Sequence, residues 1–295
     1  MDKFGRSYSL SVQASNGSTI TIEPPFTLEF DVTRNTLSSA NTSSFRLYNL
    51  SEKTRNLLRK NRWDYDSLRL ISLRAGYEEN LPFIFLGNIS QAWSVREGTN
   101  FITTIQSFDG GFAYANAKTN TAYPSSTDLK SVITDFVSSL KDFAVSPGAI
   151  GDFAGAISRG NSYSGATTDL LREISGGAFF IDNGKANVLK DDECLDLPAF
   201  VITSKSGLLG TPILEETYIN FDMLFEPNLS IGRRIKLESI TGANFNGYYK
   251  VISLHHRGTI SDAVCGEAIT SVGLFAPAVL EGVPQYGPPN LTVVG

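Results

Sequence analysis

The chain has 295 residues, of which 41% are hydrophobic and 19% charged, the composition of a folded protein with material for two or three cores. A net charge of −5 and a pI near 5.2 argue against sequence-independent nucleic-acid binding, which needs clustered Lys and Arg to neutralise phosphates. Two cysteines, Cys194 and Cys265, in no metal-ligand spacing encode neither a disulfide framework nor a zinc site. No apolar run suits a signal peptide or a membrane span, so a soluble chain made in the cytosol, with no membrane insertion, is expected.

Residues 1–110 are dominated by period-two alternation. Leu28, Phe30 and Val32 alternate with Glu29 and Asp31, and Ile20 and Ile22 with Thr19 and Thr21, which separates an apolar from a polar face. Further strands are expected over residues 67–75, 82–95 and 101–108, the second long enough to bend at Gly87. Phe45, Leu47 and Asn49 alternate with Arg46 and Tyr48 and run into a helix over residues 52–60 with Ser51 as N-cap. That helix should pack through Leu57 and Leu58 on a barrel or sandwich. Arg55, Arg59 and Lys60 lie toward its C-terminal end, where positive charge complements the macrodipole, and Arg55 and Arg59 are expected to face a neighbouring subunit.

Over residues 111–195 the pattern becomes that of a small α+β unit. Val132, Ile133, Phe136, Val137, Leu140 and Phe143 fall at helical spacing, with Ser126 or Thr127 as N-cap and Pro147-Gly148 beyond the end. A second helix over 168–175 stops at Gly176-Gly177; Asn183-Gly184 between two apolar runs then predicts a hairpin. The Gly- and Ser-rich stretch 146–165 reads as a surface loop. Strand alternation returns over 196–276, with Ile219, Phe221, Met223 and Phe225 on one side and Tyr218, Asn220 and Asp222 on the other. Residues 277–295 carry Pro277, Pro284, Pro288 and Pro289 and read as an extended arm that cannot be an internal strand or helix.

Candidate chemistry is sparse. His255 and His256 are adjacent on an expected strand, so their rings point to opposite faces and cannot share one ion or one active site. Asp191-Asp192-Glu193 lacks calcium-loop spacing and reads as a solvated loop. No G-x-S-x-G elbow and no phosphate loop occur, and Trp63 and Trp93 are too few for a carbohydrate platform and suit cores or interfaces. No catalytic, cofactor-binding or metal-binding residue is assigned, and no cofactor is expected.

Two blocks carry a resemblance. FRLYNLS-x-x-TR (residues 45–55) in the first part, with FEP-x-L-x-x-G-x-x-I-x-L-x-S (225–239) and NG-x-YKV (246–251) in the last, resembles the central baseplate hub proteins of contractile-tailed bacteriophages. The resemblance implies an α+β, mainly β fold: tail-tube-like β-barrels over 1–110 and 196–276 flanking the α+β insert 111–195, and an extended C-terminal arm 277–295. It implies a structural, non-enzymatic homotrimer joining the hexameric tail tube, or a tube-initiator ring, to the trimeric central spike among other baseplate proteins. DNA would pass through its channel without specific binding, and the protein would be assembled in the host cytoplasm into the virion tail. The chain stops before any spike-forming repeat, as a stand-alone hub would. A glycan- or receptor-binding β-sandwich of the tail is the alternative, and a peptidoglycan hydrolase a third.

Overall fold

The computed structural model describes residues 4–37, 39–64, 67–215, 217–241, 245–264, 266–276 and 292–294. Its first part contains β1 (Arg6–Gln13), β2 (Thr19–Ile22), β3 (Leu28–Asn35), β4 (Thr42–Tyr48), α1 (Glu52–Leu58), β5 (Leu70–Tyr77), β6 (Phe83–Glu97) and β7 (Asn100–Phe108). These strands lie in the order β3-β4-β7-β6-β5-β1-β2, every neighbour antiparallel. Alternation decides which side chains go inside: Leu28, Phe30 and Val32 of β3 are buried beside Phe45 and Leu47 of β4, while Asp31 is exposed.

Ser51 caps α1 as expected, its hydroxyl accepting from Thr54 N at 3.2 Å. Leu58 is fully buried and Leu57 only half-buried. The helix C-terminus is served not by its own basic residues but by Arg69, whose guanidinium donates to the carbonyls of Leu57, Leu58 and Arg59 and also to that of Gln13. Lys60 has left the helix and pairs with Ala92 of β6. The register of β6 with β7 steps between Ile89 and Gln91, two residues beyond Gly87. Gly87 is required for closeness, since a Cβ there would lie 2.6 Å from the Phe108 carbonyl oxygen.

The middle part holds α2 (Gly111–Asn116), β8 (Lys118–Tyr123), α3 (Leu129–Ser139), β9 (Ser146–Ile150), β10 (Asn161–Ala166), α4 (Thr167–Ile174), β11 (Phe179–Asp182) and β12 (Lys185–Val188). Val132, Ile133, Phe136 and Val137 of α3 build a core with Leu171, Phe179 and Val188. Asp128, not Ser126 or Thr127, caps α3, accepting from Ser131 N at 2.9 Å. The stretch read as a surface loop contains two strands, β9 running parallel to β12 and β10 antiparallel to β8. Small residues hid them, because a strand without bulky alternating side chains has no pattern to read. The Asn183-Gly184 turn forms as expected, both residues at positive φ, 49° and 71°.

The last part comprises β13 (Glu193–Leu195), β14 (Phe200–Thr203), β15 (Leu208–Glu215), β16 (Tyr218–Leu224), β17 (Arg234–Glu238), β18 (Gly247–Ile260), β19 (Ala268–Phe275) and β20 (Thr292–Val294). Its main ladder runs β15-β16-β19-β18-β17-β14 around a core of Ile202, Ile219, Met223, Ile235, Leu237 and Val272. In the arm, Thr292–Val294 pairs in parallel with Glu193–Leu195. The strand is an edge strand of a two-stranded ladder and not an internal one: the prolines end at Pro289, and the β-branched Thr-Val-Val beyond them keeps its donors. Residues 277–291, with the anchors Val279, Leu280, Val283, Tyr286 and Leu291, lie outside the described residues.

The two ladders repeat one another. Written in the order of pairing, β15-β16-β19-β18-β17-β14 takes the places of β3-β4-β7-β6-β5-β1, and five of the six strands keep the same relative direction. Only the last differs, β14 being parallel to β17 where β1 is antiparallel to β5. The long hairpins agree residue by residue: Lys250 faces Phe275 as Asn88 faces Phe108, and each register then steps across one residue, between Val251 and Ser253 and between Ile89 and Gln91. A bulge shared at one place is a conserved feature of a pairing pattern.

Candidate functional site

The two ladders are joined edge to edge. β18 overruns β17 and lays residues Ser253–Ile260 antiparallel along Asn35–Leu28 of β3, which merges thirteen strands into one sheet. The joint is also apolar: Phe225, Ile260 and Ala268 from the second ladder belong to the core of the first. The Phe225 ring lies 5.4 Å from that of Phe30 and 6.1 Å from that of Tyr77, whose hydroxyl donates to the Phe225 carbonyl at 2.9 Å.

The sequence blocks that carry the resemblance serve this joint and its surroundings. In FEP, Phe225 is the plug just described, and the carboxylate of buried Glu226 accepts from Asn228 N at 3.2 Å. In FRLYNLS, Asn49 accepts from Phe101 N at 3.0 Å and ties β4 to the β6–β7 hairpin. In NG-x-YKV, Lys250 is buried and donates to the Lys190 carbonyl at 2.6 Å; burial lowers its pKa first, nearby acidic groups countering that.

Below the joint sits a buried ionic cluster. Arg34 forms a two-pronged pair with Asp182 at 2.8 and 2.6 Å, which clips the β11–β12 hairpin of the insert to β3. Asp109 accepts from Gly184 N at 2.9 Å, and Asn41 donates to the Ile181 carbonyl at 2.8 Å. Burial, then the charge of Asp182, pushes Asp109 up to about 7. His256 packs edge-on against Phe225 with Nδ1 2.9 Å from the Thr270 hydroxyl; burial first, then Arg34 and His255, pushes it down to about 3. His255 points to the opposite, solvent side, 3.0 Å from Asp31, as the strand alternation required.

That solvent side is continuous across the joint. Over β3, β4, β7, β16, β18 and β19 it carries Glu29, Asp31 and Asp222 against Arg46 and Arg257, with Arg46 paired to Glu29 at 2.9 Å. Such a face offers a polyanion no net positive charge.

Among the described residues no group of three or more His, Cys, Asp or Glu side chains could hold a metal ion. Burial pushes the Cys194 thiol up to about 11, which makes it a poor nucleophile; Cys265 lies outside the described residues. Among the described residues no helix is long and apolar enough to cross a membrane. Glu193 is not part of a solvated loop: it is buried and its carboxylate accepts from Asp152 N at 2.7 Å and Lys190 N at 2.8 Å. Trp63 and Trp93 belong to no core and are 76% and 37% exposed. Arg55 is half-buried and lies over the exposed Phe101 ring at 3.8 Å, whereas Arg59 is exposed. The ionic cluster was missed in the sequence, although Arg34 occupies the apolar phase of its strand, two residues beyond Val32, where a charge implies a buried partner.

A family model described as baseplate hub gp41 matches residues 9–261. The chain belongs to the baseplate hub gp41 family. Both blocks that carried the resemblance lie within the matched span, and the family makes the chain a component of a phage tail. Comparison with curated proteins returns no match. Among solved structures the hub chain is similar to the 43 kDa tail protein of prophage MuSo2 from Shewanella oneidensis, with 8% identity, a TM-score of 0.60, and 92% of this chain and 97% of that one covered. It is also similar to a tail protein from Neisseria meningitidis, with 10% identity, a TM-score of 0.59, and coverage of 97% and 100%. A third likeness is to an Escherichia coli component of the type VI secretion system that itself resembles the T4 tail proteins gp27 and gp5, with 7% identity, a TM-score of 0.58, and coverage of 90% and 76%. At these identities the likeness is one of fold.

Proposed function

We propose that the protein is a structural subunit of the baseplate hub: a homotrimeric ring that joins the tail tube, or the ring that starts it, to the central spike. The observation that carries this reading is the repeated ladder. A chain that offers the same strand order twice gives three copies six equivalent positions around an axis, so one ring can meet a six-fold tube on one side and a three-fold spike on the other. Each ladder would form a tube-like barrel wall. The α+β insert, present once per chain and attached through Arg34 and Asp182, would lie outside the ring and supply its three-fold character.

The polar side of the thirteen-stranded sheet suits a channel lining, because Glu29, Asp31 and Asp222 balance or exceed Arg46 and Arg257 and leave DNA free to pass. The role is scaffolding and not catalysis, with other tail components as partners and assembly in the host cytoplasm. The test is the mass and symmetry of the purified ring by light scattering and electron microscopy. Three copies with six similar lobes are expected; a closed ring of any other copy number overturns the reading.

A further inference from the structure

The joint between β18 and β3 uses two surfaces, and the repeated ladder presents each of them a second time. The counterpart of the overrunning end of β18 is the end of β6, where Trp93 takes the place of His255 and Val95 that of Arg257. The counterpart of β3 is β15, where Glu215 takes the place of Thr33 and Ile213 that of Asp31, as their pairings with β16 and β4 establish. Within the chain, β18 and β3 are paired with each other. Among the described residues nothing pairs with the outer edge of β15; β5 covers β6 as far as Asn88 and Lys60 bridges Ala92, so the free stretch of the β6 edge begins at Trp93.

We infer that these two edges are the copy-to-copy interface: residues 93–95 of β6 in one copy add antiparallel to residues 213–215 of β15 of the next copy, in the register β18 uses on residues 31–33 of β3. The internal joint fixes that register. His255 faces Thr33 and Arg257 faces Asp31, so Trp93 faces Glu215 and Val95 faces Ile213 across the interface. The substitution pattern fits an association of separate chains. Where the internal joint sets Arg257 against Asp31, the external one sets Val95 against Ile213, which are 41% and 59% exposed in the single chain. Two exposed apolar residues on unpaired stretches of strand edge are a liability that a partner strand removes. The second copy, and not an unrelated strand, is the occupant, because each edge is matched by the complementary edge of the same chain and the match is already realised once inside it. The contact is head to tail, so it propagates until the rotation closes a ring.

The inference rests on the ring reading above only for the copy number. It is tested with the full chain carrying Cys265→Ser, Val95→Cys and Ile213→Cys under mild oxidation, with thermal unfolding of the reduced variant as the folding control. Opposed residues of antiparallel strands come close enough for a disulfide. Covalent multimers that end at the ring size are expected from the double-cysteine chain. An equimolar mixture of the two single-cysteine chains should give covalent dimers, and neither chain alone should give any beyond background. A three-copy ring that forms without these cross-links overturns the interface and leaves the hub reading intact. Cross-linking by Ile213→Cys alone, through a symmetric contact of two β15 edges, overturns the head-to-tail joint, and a particle that is only a dimer overturns the ring with it.

Discussion

At the scale of single residues, the ionic cluster makes stability depend on pH in two opposed ways. Asp109 keeps its proton to about pH 7 in the folded chain against an ordinary value of 3.8, so folding takes one up between those values. Its favourable contribution is fully present below pH 3.8 and is lost as pH rises through 7. His256 runs the other way: held at about 3 from an ordinary 6.5, it contributes above 6.5 and that contribution is lost as pH falls toward 3. Each changes stability by about 1.4 kcal/mol per pH unit in its window, and from about pH 4 to 6.5 the two slopes cancel. Asp109→Asn should therefore leave stability rising with pH across that range, and His256→Gln should leave it falling, as read by urea unfolding at half-unit pH steps. Parallel profiles for the two variants would refute the opposed assignment. Phe225 offers a second residue-scale test: Phe225→Ala removes a fully buried ring shared by both ladders and should cost about 3–5 kcal/mol, whereas Trp93→Ala, on an exposed edge, should cost under about 1 kcal/mol in the unassembled chain.

At the scale of elements, what the sequence revealed depended on whether side-chain size followed the pleat or the helical turn. β3, β16 and the buried stripe of α3 were legible because Leu28, Phe30 and Val32, then Ile219, Phe221 and Met223, then Val132, Ile133, Phe136 and Val137 repeat at the right period. β9 and β10 were not, because SPGAI and NSYSGA carry no apolar alternation and are held by pairing partners that lie far along the chain. The aromatic partner of Arg55 was not legible for a related reason: a helix pattern states which residues share a face, not which distant aromatic ring will rise beside it. Arg55→Ala should therefore cost about 0.5–1 kcal/mol through loss of its contact with Phe101, and Arg59→Ala should be neutral, in matched denaturation curves. The hairpin turn gives a sharper case. Gly184 lies at φ 71°, and a Cβ there would sit 3.1 Å from Leu86, so Gly184→Ala should destabilise by about 1–2 kcal/mol and loosen the insert from β3 as seen by amide exchange.

At the scale of the whole molecule, the duplication left no trace in the sequence because a ladder constrains only polarity by position, and Lys250 can stand where Asn88 stands without altering the pairing. The bulge after Ile89 and Val251 and the shared strand order became visible only once the registers were known. The arm shows the same division between composition and pairing. Its proline content says nothing of the three residues beyond the prolines, which close a parallel ladder on Glu193–Leu195, with Asp196 N donating to the Val294 carbonyl at 2.9 Å and Thr292 N to that of Asp192 at 2.8 Å. Cys194 lies in the middle of the strand so covered and is fully buried. Deleting residues 277–295 removes those bonds, each worth about 1 kcal/mol net, while the three cores keep nearly all their own contacts. The cooperative unfolding transition should survive in the truncated chain. Cys194 in a Cys265→Ser background should then react with a thiol reagent about tenfold faster for every 1.4 kcal/mol by which local opening becomes easier. An unchanged labelling rate would mean that β20 does not protect β13 in solution, and loss of the transition itself would mean that the arm contributes to the cores and not only to their edge.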